Sequence, residues 1–214
     1  MGTISRAFAN NISTTNGNFD AAKLTGTLPA ISGASLTGIT AGMNFITSAT
    51  PSGSSSAIEI QGCFSATYQN YIVIMTGMDI NTNNSDMIFR MMSGSSEHTG
   101  SDYYWAIGTS NRAGSSVNET ANANSSGRIH SNTSNDQDTI NFWNLVTNPQ
   151  VSGVKTCWAS MGGDRYEGAA NAHPQYGYTW INSGSVFDGF SYKSSSGHNF
   201  RNTGKIMVFG LSDS

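Results

Sequence analysis

Nowhere in this 214-residue chain do apolar side chains recur at helical spacing over ten residues or more. They come in short runs instead. Tyr71-Ile72-Val73-Ile74-Met75 belongs to the longest run, and its unbroken hydrophobicity predicts a strand buried on both faces. Residues 139–145 alternate, with Ile140, Phe142 and Asn144 on one side and Asn141, Trp143 and Leu145 on the other. Comparable runs at 43–48, 56–60, 87–92, 103–107, 128–130, 155–160, 176–181, 189–193 and 205–211 raise the expected total to about ten strands. Between them lie clusters of Gly, Asn, Ser and Asp, and residues 110–126 read as a long polar loop. The chain holds 32 Ser, 24 Gly, 22 Asn and 21 Thr, together 99 residues. Gly, Asn and Ser supply turns, and Thr and Ser tolerate exposed strand faces. The prediction is all-β: an antiparallel β-sandwich, jelly-roll-like, over residues 43–214.

Charge is scarce. Ten Lys and Arg face 13 Asp and Glu, 11% of the chain, with a net charge of −3. Average soluble domains carry about 25%. A chain without a basic patch is a poor nucleic-acid binder, so no nucleic-acid partner is expected. An under-charged β surface also leaves strand edges open to pairing with other chains, which points to a subunit of an assembly. No run approaches the ~18 apolar residues of a membrane span, and Met1 to Arg6 does not open a secretory leader. Synthesis in the cytoplasm without membrane insertion is the expectation. Cys63 and Cys157, 94 positions apart, read as free thiols.

Residues 1–42 differ from the rest. They contain no Trp or Tyr and repeat Leu24-Thr25-Gly26 as Leu36-Thr37-Gly38. Gly26, Pro29, Gly33 and Gly38 break any helix. An extended segment cannot bury its own aliphatics, and a plain Gly/Ser linker would not carry them. Residues 1–42 are therefore expected to be an attachment or self-association segment, burying these side chains against copies of the same chain or against another protein. Phe8, Leu24, Leu28, Ile31, Leu36 and Ile39 are its candidate assembly contacts.

Several stretches are similar to small structural proteins of tailed bacteriophages, of the marine and cyanophage type. Gly2-Thr3-Ile4-Ser5-Arg6-Ala7-Phe8-Ala9-Asn10-Asn11-Ile12 resembles their start, and residues 19–38 resemble a shaft element of tail fibres. Ala66-Thr67-Tyr68-Gln69-Asn70-Tyr71 and the ending Gly204-Lys205-Ile206-Met207-Val208-Phe209-Gly210-Leu211 resemble pieces of their C-terminal β-domain. The resemblance implies a virion protein, a homotrimer held to other virion proteins by its N-terminal region. It implies a short tail fibre or fibre tip used in host attachment, with a capsid-decorating or cement protein as the alternative.

A catalytic constellation is not visible. The chain has no G-x-S-x-G, P-loop, G-x-G-x-x-G or H-E-x-x-H motif. Glu97, Asp102, Glu119, Asp136, Asp138, Asp164 and Glu167 are carboxylates from which a glycan-cleaving pair would be drawn, and all read as ordinary loop acids. Asp79-x-Asn81-x-Asn83 has early EF-hand spacing but lacks the later Gly and Glu, and reads as a turn. No enzyme, metal or cofactor is expected. Tyr176, Tyr178 and Trp180 share one side of a strand, where they either fill the core or stack on a host surface glycan. For such a glycan-binding or glycan-cleaving module, loops at 162–166 and 171–174 would add Asp164 and Tyr166.

Overall fold

The computed structural model describes residues 42–82, 85–110, 116–133, 139–166 and 171–212. The expected attachment segment, with Phe8, Leu24, Leu28, Ile31, Leu36 and Ile39, lies outside them. The described residues hold thirteen strands and no helix. In chain order they begin with β1 (Met43–Ala49), β2 (Ala57–Ile60), β3 (Asn70–Met78), β4 (Ser85–Ser93) and β5 (Ser96–Glu97). Next come β6 (Tyr103–Ser110), β7 (Ser116–Asn124), β8 (Gly127–Thr133) and β9 (Ile140–Thr147). β10 (Thr156–Tyr166), β11 (Asn171–Ile181), β12 (Gly189–Ser194) and β13 (Lys205–Leu211) complete the set.

All pairings are antiparallel, and they build two sheets. The larger has eight strands in the order β1-β13-β3-β9-β10-β11-β6-β7. The smaller runs β2-β12-β4-β5, and β8 also pairs with β4. With β5–β7 and β10–β11 set aside, the sheets reduce to β1-β13-β3-β9 and β2-β12-β4-β8. The chain then changes sheet at every step except β4 to β8, which pair with each other. This is the wiring of a jelly-roll sandwich. Four of the inserted strands, β10, β11, β6 and β7, widen the large sheet beyond β9.

The core lies between the sheets. Trp158 is fully buried and stacks on Phe89 of the opposite sheet at 4.3 Å between ring centres. Its indole N–H donates to Asn144 Oδ1 at 3.0 Å, and Asn144 Nδ2 donates to the Val73 carbonyl at 2.9 Å. The largest core side chain therefore sits dry with its one polar atom satisfied. Polar ties join the sheets near β8. Gln175 accepts from the Ser131 N–H and donates to the Ser131 carbonyl. Cys63 and Cys157 are free thiols, and burial pushes Cys63 up to about 12.

Three local expectations are corrected. The polar stretch 110–126 contains β7, an edge strand held by its pairing with β6. Edge strands need no apolar alternation, because one side of the ladder and one face remain wet. Residues 162–166 and 171–174 are the arms of the β10–β11 hairpin, not loops. Finally, β3 is sealed fully on the inner face by Tyr71, Val73 and Met75 and only in part on the outer one, where Ile74 is buried but Ile72 is half-buried and Thr76 exposed.

Candidate functional site: the outer face of the large sheet

Alternation places every second residue of a strand on the outer face of its sheet. Pairing register then lines these residues up across the eight strands. One row runs Phe45, Phe209, Ile72, Leu145 and Ala159, then Tyr178, Ala106 and Thr120. The next runs Met207, Ile74, Trp143 and Met161, then Tyr176, Gly108 and Asn118. A third runs Met43, Leu211, Asn70, Thr147 and Cys157, then Trp180 and Tyr104. None of the residues in these three rows is charged.

Many are open to water. Met161 is 68% exposed, Tyr176 64%, Phe45 59%, Trp143 57% and Tyr178 51%. Contiguous apolar area of this kind marks an interaction surface, because a soluble monomer gains nothing by wetting it.

The face has two halves. Over β1, β13, β3, β9 and β10 the side chains are mostly aliphatic, Met, Phe or Trp, with polar groups confined to Ser48, Asn70, Thr147, Cys157 and the Trp143 indole. Phe45 and Phe209 meet edge to face at 5.6 Å. Ile72, Trp143, Leu145, Ala159 and Met161 line a shallow depression, whose floor is low because Ala159 is small. Over β11, β6 and β7 the side chains are aromatic with polar tips, or small and polar. Trp180 meets Tyr104 edge to face at 5.3 Å. The Cys157 thiol beside the Tyr178 hydroxyl, together with partial burial, pushes that phenol up to about 12, so it stays neutral. Tyr176 lies across Gly108, and a Cβ on Gly108 would run into the ring.

The outer face of the small sheet is different. Glu59 and Arg90 flank Ser191 in register, and Glu97 joins the same group. Glu97 accepts from Arg90 at 3.0 Å, Lys193 at 2.6 Å and Ser191 at 2.6 Å. Burial pushes its carboxyl up, but the hydrogen bonds from Lys193, Ser191 and Arg90 outweigh this and hold it at about 2.

The sequence candidates separate accordingly. Tyr176, Tyr178 and Trp180 stand together on the outer face and do not fill the core. Asp164 is apart from them: its side chain is turned inward, 1% exposed, with an oxygen 3.0 Å from His130 Nε2. Burial removes it from any ligand on the outer face. Tyr166 ends β10 opposite Asn171, and its side chain is outside the described residues. Sequence reasoning passed over Phe45, Trp143, Leu145 and Met161. The signal was present in the alternation of residues 139–145, which puts Trp143 and Leu145 opposite the buried Phe142.

Among the described residues the candidate carboxylates are each held by a basic partner. Glu97 is held as above, Asp102 meets His98 at 2.8 Å, and Glu119 meets Arg128. Asp136, Asp138 and Glu167 lie outside the described residues. Asp79 is buried beside Arg201 Nε at 2.8 Å, which turns the start of the EF-hand-like spacing into a structural ion pair. Among the described residues no three His, Cys, Asp or Glu side chains converge as a metal site, and no helix is long and apolar enough to cross a membrane. No protein-family model, curated protein or solved structure matches the chain.

Proposed function

We propose that this chain is a non-enzymatic structural subunit of a tailed-phage particle, a short tail fibre or fibre tip. In this reading its sandwich packs against further copies of itself through the apolar half of the large sheet. The observation that carries it is the uncharged outer face on which Phe45, Trp143, Leu145 and Met161 stand open to solvent. Such a face excludes charged partners and does not repel its own copy.

Size and edges support a second copy as the occupant. Five strands at about 4.8 Å spacing and three rows about 7 Å apart span roughly 500 Å². A standard interface buries about 800 Å² per partner. The patch therefore supplies more than half of one partner's share of such an interface. The edge strand β1, Met43–Ala49, carries neither a charge nor a proline to block pairing. Homotrimerisation, attachment to other virion proteins through residues 1–42 and an outward-facing sandwich follow the resemblance to phage proteins.

Quantitative mass spectrometry of virions that encode the chain tests the assignment. About a dozen copies per particle is expected of a fibre, by general virion symmetry. Hundreds of copies would replace it with a capsid-decorating role, and absence from the virion would overturn both. Deleting residues 1–42 is expected to abolish incorporation while leaving a folded sandwich.

A further inference from the structure

We propose that the β11–β6–β7 end of the outer face binds a neutral glycan, with a pyranose ring stacked on Tyr176. This goes beyond assembly and uses the half of the face that the copy–copy contact leaves open.

Tyr176 is built as a platform. It is paired with Gly108, and its ring leans over that residue in the space a side chain would fill. One side of the ring rests on the sheet, and with 64% exposure the other side faces water. A core aromatic does not lie this way; it turns inward, as Trp105 does one strand over. The C–H face of a pyranose is apolar, and it gains by covering an open ring of this kind.

The surroundings suit hydroxyl groups. Asn118 continues the row of Tyr176, and Thr120 continues the row of Tyr178. Both are exposed on β7. The Tyr178 phenol stays protonated and can both donate and accept. Trp180 stands four residues from Tyr176 on the same strand, about 13 Å away. That span fits a short oligosaccharide better than a single ring. With no charge in the three rows, the strip favours neutral sugars over sialic or uronic acids. A purely apolar ligand would leave the phenol, amide and hydroxyl groups unpaired, a cost the β9–β10 half would not impose.

An array of neutral hexose, 6-deoxyhexose and N-acetylhexosamine oligosaccharides, with a uronic-acid set alongside, tests the proposal on the full chain. Retention of at least one neutral glycan is expected. Isothermal titration with that glycan should show about tenfold or greater weakening for Tyr176→Ala and for Gly108→Val. Tyr176→Phe, which keeps the ring, should bind within about threefold of the parent. Circular dichroism confirms that each variant is folded. Binding only to the uronic-acid set, no retention of any neutral glycan, or binding unchanged in Tyr176→Ala would each overturn the site. Trp143→Ser/Met161→Ser should retain the glycan, which separates this test from the assembly reading.

Discussion

The sandwich has two outer faces, built by the same alternation and opposite in character. On the small sheet, Glu59, Arg90, Glu97 and Lys193 spread charge over the strands, and Glu97 gathers three donors. On the large sheet, three rows across eight strands carry no charge and expose Trp, Met, Phe and Tyr side chains. Low overall charge is therefore not spread evenly. A cluster of ion pairs sits on the outer face of the small sheet, and the three rows of the large sheet carry none. Neither face is needed to close the core, which lies between the sheets around Trp158, Phe89 and Phe142. Folding and association can then be changed separately.

The largest effect is expected inside. Phe142→Ala empties a fully buried site and should lower unfolding free energy by about 3–5 kcal/mol in urea melts. On the outer face, Trp143→Ser on the same strand with Met161→Ser on β10 should change the unfolding free energy of the dissociated monomer by less than about 0.5 kcal/mol, the usual range for surface sites, once the stabilisation linked to association is diluted away. The same pair should weaken self-association about a hundredfold, read by light scattering across a dilution series. Equal losses of stability from the inner and outer variants would break the distinction between the faces.

The smallest effect belongs to the charged face. Glu97 titrates at about 2 in the fold, against 4.5 as an ordinary carboxyl. A depressed folded value adds stability above the ordinary value and loses it as the proton returns. Urea midpoints should therefore fall as pH drops from about 5 toward 2. Glu97→Gln should remove about 1 kcal/mol at pH 7, allowing for solvent screening, and flatten that slope. Association at pH 7 should not change; if it did, the charged face would also be an interface.

Strand by strand, much of the fold was legible in the sequence. Runs such as residues 71–78 and 205–211 are β-branched and apolar enough to fix type and position. β7 was not legible, because an edge strand takes its order from backbone pairing with β6 and needs no apolar residue. The hairpin arms were hidden by turn-like residues with other uses. A Cβ on Gly162 would collide with the backbone of Asn141 and Phe142, so glycine there permits close approach of β9. Pro174 pairs with Gly163 of β10 but sits just beyond the last residue pair with β6, where β11 is bordered by a strand on one side only. The aromatic strip Tyr176, Tyr178 and Trp180 could be read as one side of a strand. Its direction could not, because alternation gives two sides and only the sheet order decides which meets the core. Asp164 was misplaced for the same reason: a hairpin arm turns it toward His130, where a loop would have left it exposed.

Sedimentation equilibrium of the full chain at micromolar concentration tests the central claim most directly. The expected result is a trimer that falls to monomer when Trp143→Ser and Met161→Ser are introduced together, with the fold retained. A wild-type chain that stays monomeric, or a trimer indifferent to both substitutions, would contradict an interface on the outer face of the large sheet.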